Sequence, residues 1–295
     1  MSDYQASEIH FCHQTWHLNA TVIMIAPWEN GVDVIVDRTP FHPVSHIWPD
    51  HPADQGELVV EQATYSLENC LVGAIEQATG TLYVDKAIPV KRDTPGWAFV
   101  VVHRLADEAD NLTVGCKVEL QVNKPHQQAL SRGHSAGHVA YLALNKVLAE
   151  GYWRKEADRK DPLGHADFNS YAQVTSFVTP NRCHDTYRLG KTLRKRGLNS
   201  ADVLAQLSDI EHKVNQQVKT WLDFDGKVTI HCAGDTLTDS RYWQCQLEPE
   251  LHVSTPCGGT HIEQLSELEV VEVTLCATDG QNIEMHTNVK VTDRI

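Results

Sequence analysis

The sequence has no long apolar run, no secretory leader pattern and no disulfide framework. No stretch of about 18 consecutive apolar residues occurs, so no membrane-spanning helix is expected. The N-terminal MSDYQASEIH lacks the basic and then apolar pattern of a signal peptide. The eight cysteines, at positions 12, 70, 116, 183, 232, 245, 257 and 276, do not have the spacing of a disulfide framework. These absences predict a cytoplasmic protein with reduced thiols.

Basic residues are also few. The 295 residues include 25 Lys and Arg against 39 Asp and Glu, which gives a formal net charge of −14 at pH 7. Such a charge argues against broad, nonspecific binding to polyanions, although a local basic patch remains compatible with it. A hydrophobic content of 41% is that of a globular protein, and the length is sufficient for two domains. The sequence contains no internal repeat and no low-complexity segment.

The segment Ser131–Glu150, SRGHSAGHVAYLALNKVLAE, has the periodicity of a helix. Ser131 is the predicted N-cap. His134 and His138 are four residues apart, so both imidazoles project from one face of the helix. A second face, expected to pack on a sheet, is apolar and contains Ala136, Ala140, Ala143 and Val147.

A second pair of metal-binding residue types follows about 120 residues later. In the segment PCGGTH, Cys257 and His261 flank two glycines that allow the backbone to turn sharply. Each pair alone is common in a chain with 17 histidines. No glutamate follows His134, so the HExxH pattern of zinc proteases is absent. The two pairs together form a Cys/His3 set, which predicts one tetrahedral Zn²⁺ site per chain.

The pattern of the N-terminal half predicts short strands separated by turns. Asn30-Gly31 is a strong hairpin signal. The predicted strands are Thr21–Ala26, Val32–Val36, Glu57–Val60, Gly80–Val84, Trp97–His103 and Lys117–Val122. This pattern predicts a small N-terminal β-barrel in residues 1–124, with Lys124–Leu130 as a connector to the second domain.

Residues 125–295 combine helices with β-segments. An amphipathic helix is expected from Ser200 to Leu222, and residues 151–199 have the least regular pattern. The β-segments are Lys227–Cys232, Tyr242–Leu247 and a hairpin of Leu268–Ala277 with Ile283–Val291 around Asp279-Gly280. The pattern predicts an α+β domain with helices on an antiparallel sheet.

One basic run stands out in this acidic chain. Residues 188–196 hold five basic residues and no acidic one. If the run is helical, Lys191, Arg194 and Lys195 share one face. The run is then either a solvated helix face or a patch that contacts phosphates.

The order of these motifs resembles the editing domain of alanyl-tRNA synthetases and their free-standing AlaX-type relatives. HxxxH on a helix followed by PCGGTH is similar to the metal motifs of that family. The segment DRTPFHP (37–43) is similar to the DRTPFYP-type segment of its N-terminal barrel, and the pairs Ile210-Glu211 and Val214-Asn215 resemble its IE-x-x-VN helix. The sequence departs from the family at its glycine-rich GGQ-x-x-D-x-G element, where Asp50 and His51 replace Gly and Gln.

The resemblance implies a two-domain, zinc-dependent hydrolase that cleaves the ester of mischarged tRNA(Ala), such as Ser- or Gly-tRNA(Ala). His51 and Asp54 are the candidates for proton transfer, because they occupy the position of the glycine-rich element. The synthetase's aminoacylation and tRNA-recognition segments have no counterpart in this sequence, so a trans-editing protein is expected. Two alternatives stay open: a metal-dependent hydrolase of a small ester or amide, and a tRNA-binding module with a structural zinc. Four protein ligands are typical of structural zinc, whereas catalytic zinc usually keeps a position for water.

Overall fold

The computed structural model describes residues 4–106 and 109–291. Within them the chain is α+β, with five helices and mostly antiparallel sheets. The helices are α1 (Lys124–Ala149), α2 (Phe168–Ala172), α3 (Lys191–Lys195), α4 (Ser200–Ala205) and α5 (Leu207–Phe224). None of these helices is both long and apolar enough to cross a lipid bilayer.

Sixteen strands lie in the described residues. Those before α1 are β1 (Glu8–Ile9), β2 (His17–Trp28), β3 (Gly31–Val36), β4 (Arg38–Thr39), β5 (Gly56–Val60), β6 (Ala63–Glu76), β7 (Thr81–Val84), β8 (Trp97–Leu105) and β9 (Lys117–Val122). Those after α1 are β10 (Gln173–Thr179), β11 (Arg182–Arg188), β12 (Val228–Cys232), β13 (Arg241–Glu248), β14 (Leu251–Pro256), β15 (Val270–Ala277) and β16 (Asn282–Lys290).

The chain divides into two compact units. The first contains Met1–Gln128, Ile230–Arg241 and Cys257–Thr260, and the second contains Ala129–Thr229, Tyr242–Pro256 and His261–Ile295. These units are groups of residues in contact, and each combines segments that are distant in the sequence. They do not test the predicted domain boundary between residues 124 and 125, which stays a prediction.

The first unit contains a seven-stranded sheet with the order β5-β9-β2-β3-β8-β6-β7. Strand β5 also pairs with β6, so the pairings from β5 through β9, β2, β3 and β8 to β6 form a closed circuit. Its apolar core includes the fully buried Val34, Phe41, Leu58 and Leu120. The predicted hairpin of β2 and β3 is confirmed, but its two turn residues are Glu29 and Asn30, because Gly31 already pairs with Trp28 as the first residue of β3. The small barrel itself stays a prediction.

Helix α1 begins earlier than predicted. Asn123 is its cap, since the Asn123 side-chain oxygen accepts a hydrogen bond of 3.1 Å from the N–H of His126. The predicted connector Lys124–Leu130 is wrong, because these residues form the first turns of α1. Ser131 is therefore not the N-cap and is 5% exposed inside the helix. Pro125 is compatible with this start, because the backbone N–H that proline lacks would have no partner within the helix in the first turn.

The second unit contains a four-stranded sheet with the order β10-β11-β16-β15. The predicted hairpin of β15 and β16 is confirmed, whereas the sequence interpretation missed β10 and β11. Helix α1 packs closely on the hairpin of β10 and β11. A Cβ atom at Gly133 would lie 2.5 Å from the carbonyl oxygen of Arg182, and one at Gly137 would lie 2.7 Å from Cys183 Sγ. Both positions therefore require glycine.

The helix predicted from Ser200 to Leu222 is two helices, α4 and α5. The break falls at Gln206, whose φ of −114° and ψ of 22° are not helical. Helix α5 packs on β15, the edge strand of the four-stranded sheet. Glu211 Oε2 accepts a 2.7 Å hydrogen bond from the N–H of Leu275, and Asn215 bonds both the N–H and the carbonyl oxygen of Val273. These two side chains thus satisfy backbone groups that an edge strand leaves unpaired.

Candidate metal centre

Four side chains converge in a cluster that could hold a metal ion: His134, His138, Cys257 and His261. Each offers one ligand atom, and the four atoms all lie within 4.8 Å of one another. The two motifs therefore lie within the distance that a shared ion requires. No other combination of thiolate and imidazole groups of this kind occurs among the described residues.

The helix sets the positions of the first two histidines. His134 and His138 are one turn apart on α1, and their ring centroids are 5.0 Å apart. The His134 ring stacks on His261 at 4.1 Å. The His138 ring stacks at 4.7 Å on Trp243, a fully buried residue of β13. Packing thus fixes the orientation of both imidazoles.

His138 has the protonation state that a metal ligand needs. Burial lowers its pKa to about 4, because an imidazolium would lose its hydration. The ring is therefore neutral at pH 7 and keeps a lone pair. Its Nδ1 atom is buried and has no hydrogen-bond partner in the described part of the chain. A buried imidazole nitrogen of this kind fits a ligand of a metal ion.

Ser135 holds the third histidine. Its Oγ lies 3.0 Å from Nδ1 of His261 and also accepts a 3.3 Å hydrogen bond from the N–H of Ile262. When the Nδ1 atom of a histidine is held in this way, Nε2 is the nitrogen left for a metal. The sequence interpretation missed Ser135 and Trp243, since neither residue type signals metal binding by itself.

Cys257 is the ligand whose protonation opposes metal binding most. Burial raises the pKa of its thiol to about 12, while the backbone N–H of Gly259 and the Arg241 guanidinium act in the opposite direction. Arg241 is anchored by its Nη1, which donates to the carbonyl oxygens of Leu237 and Asp239 at 3.1 and 3.3 Å. Metal binding at Cys257 therefore requires the release of a proton.

Glycine at position 258 lets this guanidinium approach. A Cβ atom there would lie 3.1 Å from Arg241 Nη2. Position 241 was another residue that the sequence interpretation missed, because a single arginine at the start of a strand carries no motif.

His51 and Asp54, the candidates for proton transfer, are both buried in the first unit. His51 Nδ1 lies 2.9 Å from the carbonyl oxygen of Pro52, so Nδ1 must carry the proton that it donates there. Nε2 then has the lone pair, and it lies 3.4 Å from Thr260 Oγ1. Burial lowers the pKa of His51 to about 4. His51 is thus a neutral imidazole with a basic nitrogen directed at the residue that precedes His261.

Asp54 is held in a different network. Its Oδ2 accepts hydrogen bonds from the N–H of His42 at 2.8 Å and from Gln127 Nε2 at 2.6 Å. Gln127 in turn accepts a 2.7 Å hydrogen bond from Trp16 Nε1. Burial raises the pKa of Asp54 to about 7. This carboxyl group ties the first turn of α1 to the strands of the first unit.

The basic residues Lys191, Arg194 and Lys195 form one turn, α3, and all three are exposed. Leu193 is buried and anchors this turn. Arg196 differs from them, because its guanidinium lies 4.5 Å from the centre of the Tyr171 ring and 3.7 Å from Asp158 Oδ2. The three exposed residues therefore present positive charge to solvent, whereas Arg196 is engaged within the chain.

Fold and site together define an α+β protein with a His3Cys cluster suited to a metal ion. The chain is similar to the alanine–tRNA ligases of three organisms. It is 23% identical to that of Saccharolobus islandicus (strain L.S.2.15 / Lassen #1) over 174 residues, which cover 59% of this chain and 17% of the ligase. For Thermotoga petrophila the identity is 23% over 252 residues, 83% of this chain and 23% of the ligase. For Methanothermobacter thermautotrophicus the identity is 22% over 283 residues, which cover 92% of this chain and 25% of the ligase.

The chain thus spans a quarter or less of the length of these relatives. A comparison with models of protein families gave no match. The resemblance to alanyl-tRNA synthetases that the motifs predicted is confirmed by these similarities.

Proposed function

We propose that this chain is a metal-dependent hydrolase that removes the amino acid from mischarged tRNA(Ala), such as Ser- or Gly-tRNA(Ala). The observation that carries the proposal is the His134, His138, Cys257 and His261 cluster in a chain related to alanine–tRNA ligases. Ester cleavage at neutral pH needs an activated water or a polarised carbonyl group, and a cation in this cluster is suited to supply either.

We propose Zn²⁺ as the resident ion, one per chain. Three imidazoles and one thiolate are a donor set that zinc prefers, whereas magnesium and calcium prefer oxygen ligands. Cys257 is the ligand best suited to yield a coordination position to substrate, since it lies in a glycine turn and not on a helix. The guanidinium of Arg241 would then stabilise the thiolate.

His51 is the better candidate for the proton-transfer step. Its tautomer leaves the lone pair on Nε2, and burial keeps that nitrogen unprotonated at neutral pH, although a pKa of about 4 makes it a weaker base than an exposed imidazole. Thr260 Oγ1 is the group through which His51 would act, because it lies at hydrogen-bond distance from Nε2. Asp54 has a pKa near neutrality, but its Oδ2 is occupied by two donors. We therefore assign Asp54 to holding α1 and not to proton transfer.

We also propose a two-domain organisation. The closed circuit of strands in residues 1–124 supports a barrel domain, and residues 125–295 would be the zinc-binding editing domain. Lys191, Arg194 and Lys195 would contact tRNA phosphates. We propose trans-editing of the AlaX type in the cytoplasm, which requires that the chain act on free aminoacyl-tRNA.

A deacylation assay tests the proposal. Ser-, Gly- and Ala-tRNA(Ala) are offered to the purified chain without any synthetase, with and without a chelator. Rapid hydrolysis of Ser- or Gly-tRNA(Ala) that the chelator abolishes is the expected result. His138→Ala should lose the metal of the His3Cys centre together with activity, and His252→Ala, a change at an exposed residue of β14, should keep both. Full activity of metal-free His138→Ala would contradict the metal-dependent reaction.

A metal-dependent hydrolase of a small ester or amide is the second candidate. It is favoured by the net charge of −14 and by Asp50 and His51, which stand where the glycine-rich element is found in the relatives' family. Chelator-sensitive cleavage of a small aminoacyl ester without cleavage of any aminoacyl-tRNA would support this candidate. Retained tRNA binding with no cleavage of either substrate would indicate a binding module with a structural zinc.

A further inference from the structure

A second group of metal-binding side chains lies on the four-stranded sheet of the second unit. His184 of β11 and His286 of β16 are direct cross-strand partners, so both side chains project from one face. Glu284 is two residues before His286 and shares that face. Helix α1 packs on the opposite face, where Cys183 meets Gly137. The cluster is therefore separate from the His3Cys centre and belongs to the solvent-exposed face.

The two imidazoles both lie beside one carboxylate oxygen of Glu284. The two imidazole rings stack with centroids 4.3 Å apart and an angle of 13° between their planes. Nε2 of His184 lies 3.4 Å and Nε2 of His286 lies 3.2 Å from the same carboxylate oxygen, Oε2 of Glu284. One ligand atom from each residue lies within 4.8 Å of the other two.

The two nitrogen–oxygen distances, 3.4 and 3.2 Å, match those between neighbouring ligands of a bound metal ion. Donor atoms about 2.0–2.1 Å from a zinc-sized ion are about 3.3 Å apart when the arrangement is tetrahedral. We propose that His184, Glu284 and His286 form a second site, which binds a divalent transition-metal ion through two imidazoles and one carboxylate.

The chemistry of the donors decides the class of ion. Imidazole suits Zn²⁺, Ni²⁺, Cu²⁺ and Fe²⁺, whereas Mg²⁺ and Ca²⁺ prefer sites made of oxygen ligands. The side chains of His184, Glu284 and His286 are 41%, 31% and 39% exposed, so water can complete the coordination sphere. The carboxylate supplies negative charge, and the chain as a whole carries −14.

The position of the cluster indicates what a bound ion does. His184 belongs to the hairpin of β10 and β11, and Glu284 and His286 belong to the hairpin of β15 and β16. An ion held by both strands joins the two hairpins side by side. Because the unfolded chain does not hold these three side chains together, metal binding at this site stabilises the folded sheet.

The same three side chains would also be close together as an ion pair without metal, and a Zn²⁺ titration separates the two cases. Protein is dialysed against metal-free buffer, its resident metal is measured, and Zn²⁺ is added while heat and stoichiometry are recorded. The wild-type chain is expected to bind two equivalents. His286→Ala should bind the second equivalent at least about tenfold more weakly than the wild type. Even removal of a group that only hydrogen-bonds a metal ligand lowers metal affinity by about this factor, and His286 is itself a proposed ligand.

Variants assign each equivalent to its site. Glu284→Gln keeps the size of the side chain and should also weaken the second equivalent, whereas Cys257→Ser should weaken the other one. His252→Ala is the matched control, because it removes an exposed histidine from a different sheet. Circular dichroism checks that each variant is folded. Binding of a single equivalent by the wild type, or a second equivalent that survives in His286→Ala or is lost equally in His252→Ala, would overturn the proposal. None of these three outcomes depends on deacylase activity.

Discussion

Ser135 shows how one small side chain can prepare a metal ligand. It lies between the two histidines of α1 in the sequence, yet its hydroxyl points to the third, His261, at 3.0 Å. Groups that hold the far nitrogen of a ligating histidine fix both its tautomer and its orientation. The spacer of the HxxxH motif therefore holds a residue that contacts the third histidine of the cluster.

Removal of this hydroxyl should weaken metal binding without unfolding the chain. For Ser135→Ala we expect the affinity of the His3Cys centre for Zn²⁺ to fall roughly 10–100-fold, because His261 loses the partner that orients it. Competition with a chromogenic chelator measures the change. Ser208→Ala, at an exposed position of α5, is the control and should bind as the wild type does. Equal affinities of Ser135→Ala and wild type would remove Ser135 from the centre.

Asp54 gives a stability prediction with a definite sign. Its pKa is about 7 in the folded chain, against 3.8 when exposed, so the folded state binds a proton that the unfolded state has released. Stability therefore falls as the pH rises from about 4 to 7, by at most about 4 kcal/mol. Asp54→Asn has no such loss and should be more stable than wild type at pH 8 in urea unfolding. Deacylation by this variant should stay close to that of wild type.

Asp33→Asn is the matched contrast. Asp33 is equally buried but pairs with Arg104 at 2.7 Å, so its replacement leaves a charge without its partner and should destabilise the first unit at pH 8. If Asp54→Asn is destabilised as Asp33→Asn is, the carboxylate of Asp54 is ionised and stabilising. Loss of deacylation in a stable Asp54→Asn chain would instead return Asp54 to proton transfer.

At the scale of elements, the two glycines of α1 bring the histidine helix close to the sheet. Gly133 and Gly137 each precede a histidine, and both face the hairpin of β10 and β11. A glycine in a helix interior usually costs up to about 1 kcal/mol relative to alanine. Here that cost is offset by the close packing that places His134 and His138.

Gly133→Ala should therefore destabilise the chain, in contrast to the usual effect of alanine in a helix. The added Cβ would meet the backbone oxygens of Arg182 and Thr179 at 2.5 and 2.6 Å, and backbone atoms cannot move aside cheaply. We expect the free energy of unfolding to fall by about 1–3 kcal/mol, and Zn²⁺ affinity to fall with it. Urea unfolding and metal titration measure both. Gly151→Ala, where a Cβ meets nothing within 4 Å, is the control. A Gly133→Ala chain as stable as the control would show that the contact is loose.

How far the sequence predicts this fold depends on what each element buries. The strands β3, β5 and β9 were predictable because apolar residues recur along them. Strand β6 was missed, since its first half faces solvent and a register shift interrupts it between Leu67 and Asn69. Strand β11 was missed because its buried face carries Cys183 and Asp185, and Asp185 is satisfied there by Gln173 at 2.9 Å. Buried polar groups conceal the alternation on which strand prediction rests.

The site was predictable only where residue type and spacing coincide. The four donors of the cluster belong to the two residue types that zinc prefers, at spacings that a helix and a turn produce. Ser135, Trp243 and Arg241 were not predictable, because their roles depend on which strand or turn lies beside them. Their contribution comes from tertiary contacts and not from a local pattern.

At the scale of the whole molecule, buried histidines make the first unit sensitive to acid. Burial lowers the pKa of His51 and His103 to about 4 and that of His42 well below its usual 6.5. The unfolded chain therefore binds protons that the folded unit excludes, and stability is lost as the pH falls below 6.5. Asp54 has the opposite effect, because it releases one proton on unfolding. Unfolding of the unit therefore takes up about two protons in total, and its free energy of unfolding falls by roughly 3 kcal/mol for each unit by which the pH falls.

Hydrogen exchange of β8, which contains His103, should detect this loss between pH 6.5 and 5. The exchange rates need correction for their intrinsic dependence on pH. His17→Asn is the control, because that side chain is 66% exposed and its loss should leave the slope unchanged. Protection of β8 that stays constant over this range would mean that the three histidines are protonated in the folded unit.

The net charge sets a second problem at this scale, which is how an acidic chain would hold the tRNA that we propose as its substrate. A chain with a net charge of −14 repels the phosphate backbone at long range, so binding must rest on a concentrated positive surface. The exposed side of α3 is such a surface, with Lys191, Arg194 and Lys195 held by the buried Leu193. Each phosphate contact adds about 0.7–0.9 unit to the dependence of log affinity on log salt concentration.

Replacement of Lys191, Arg194 and Lys195 by alanine should flatten this salt dependence by roughly two to three units and weaken tRNA binding at low salt. Filter binding over a range of salt concentrations measures both. A second triple variant, Lys86→Ala, Lys91→Ala and Arg92→Ala, removes the same charge from exposed positions elsewhere and should reduce affinity slightly while keeping the slope. Neither variant should release Zn²⁺ or slow the cleavage of a minimal aminoacyl ester that lacks the tRNA body. Equal slopes for the two variants would mean that only net charge matters, which would make α3 an ordinary solvated turn and favour the hydrolase of small esters.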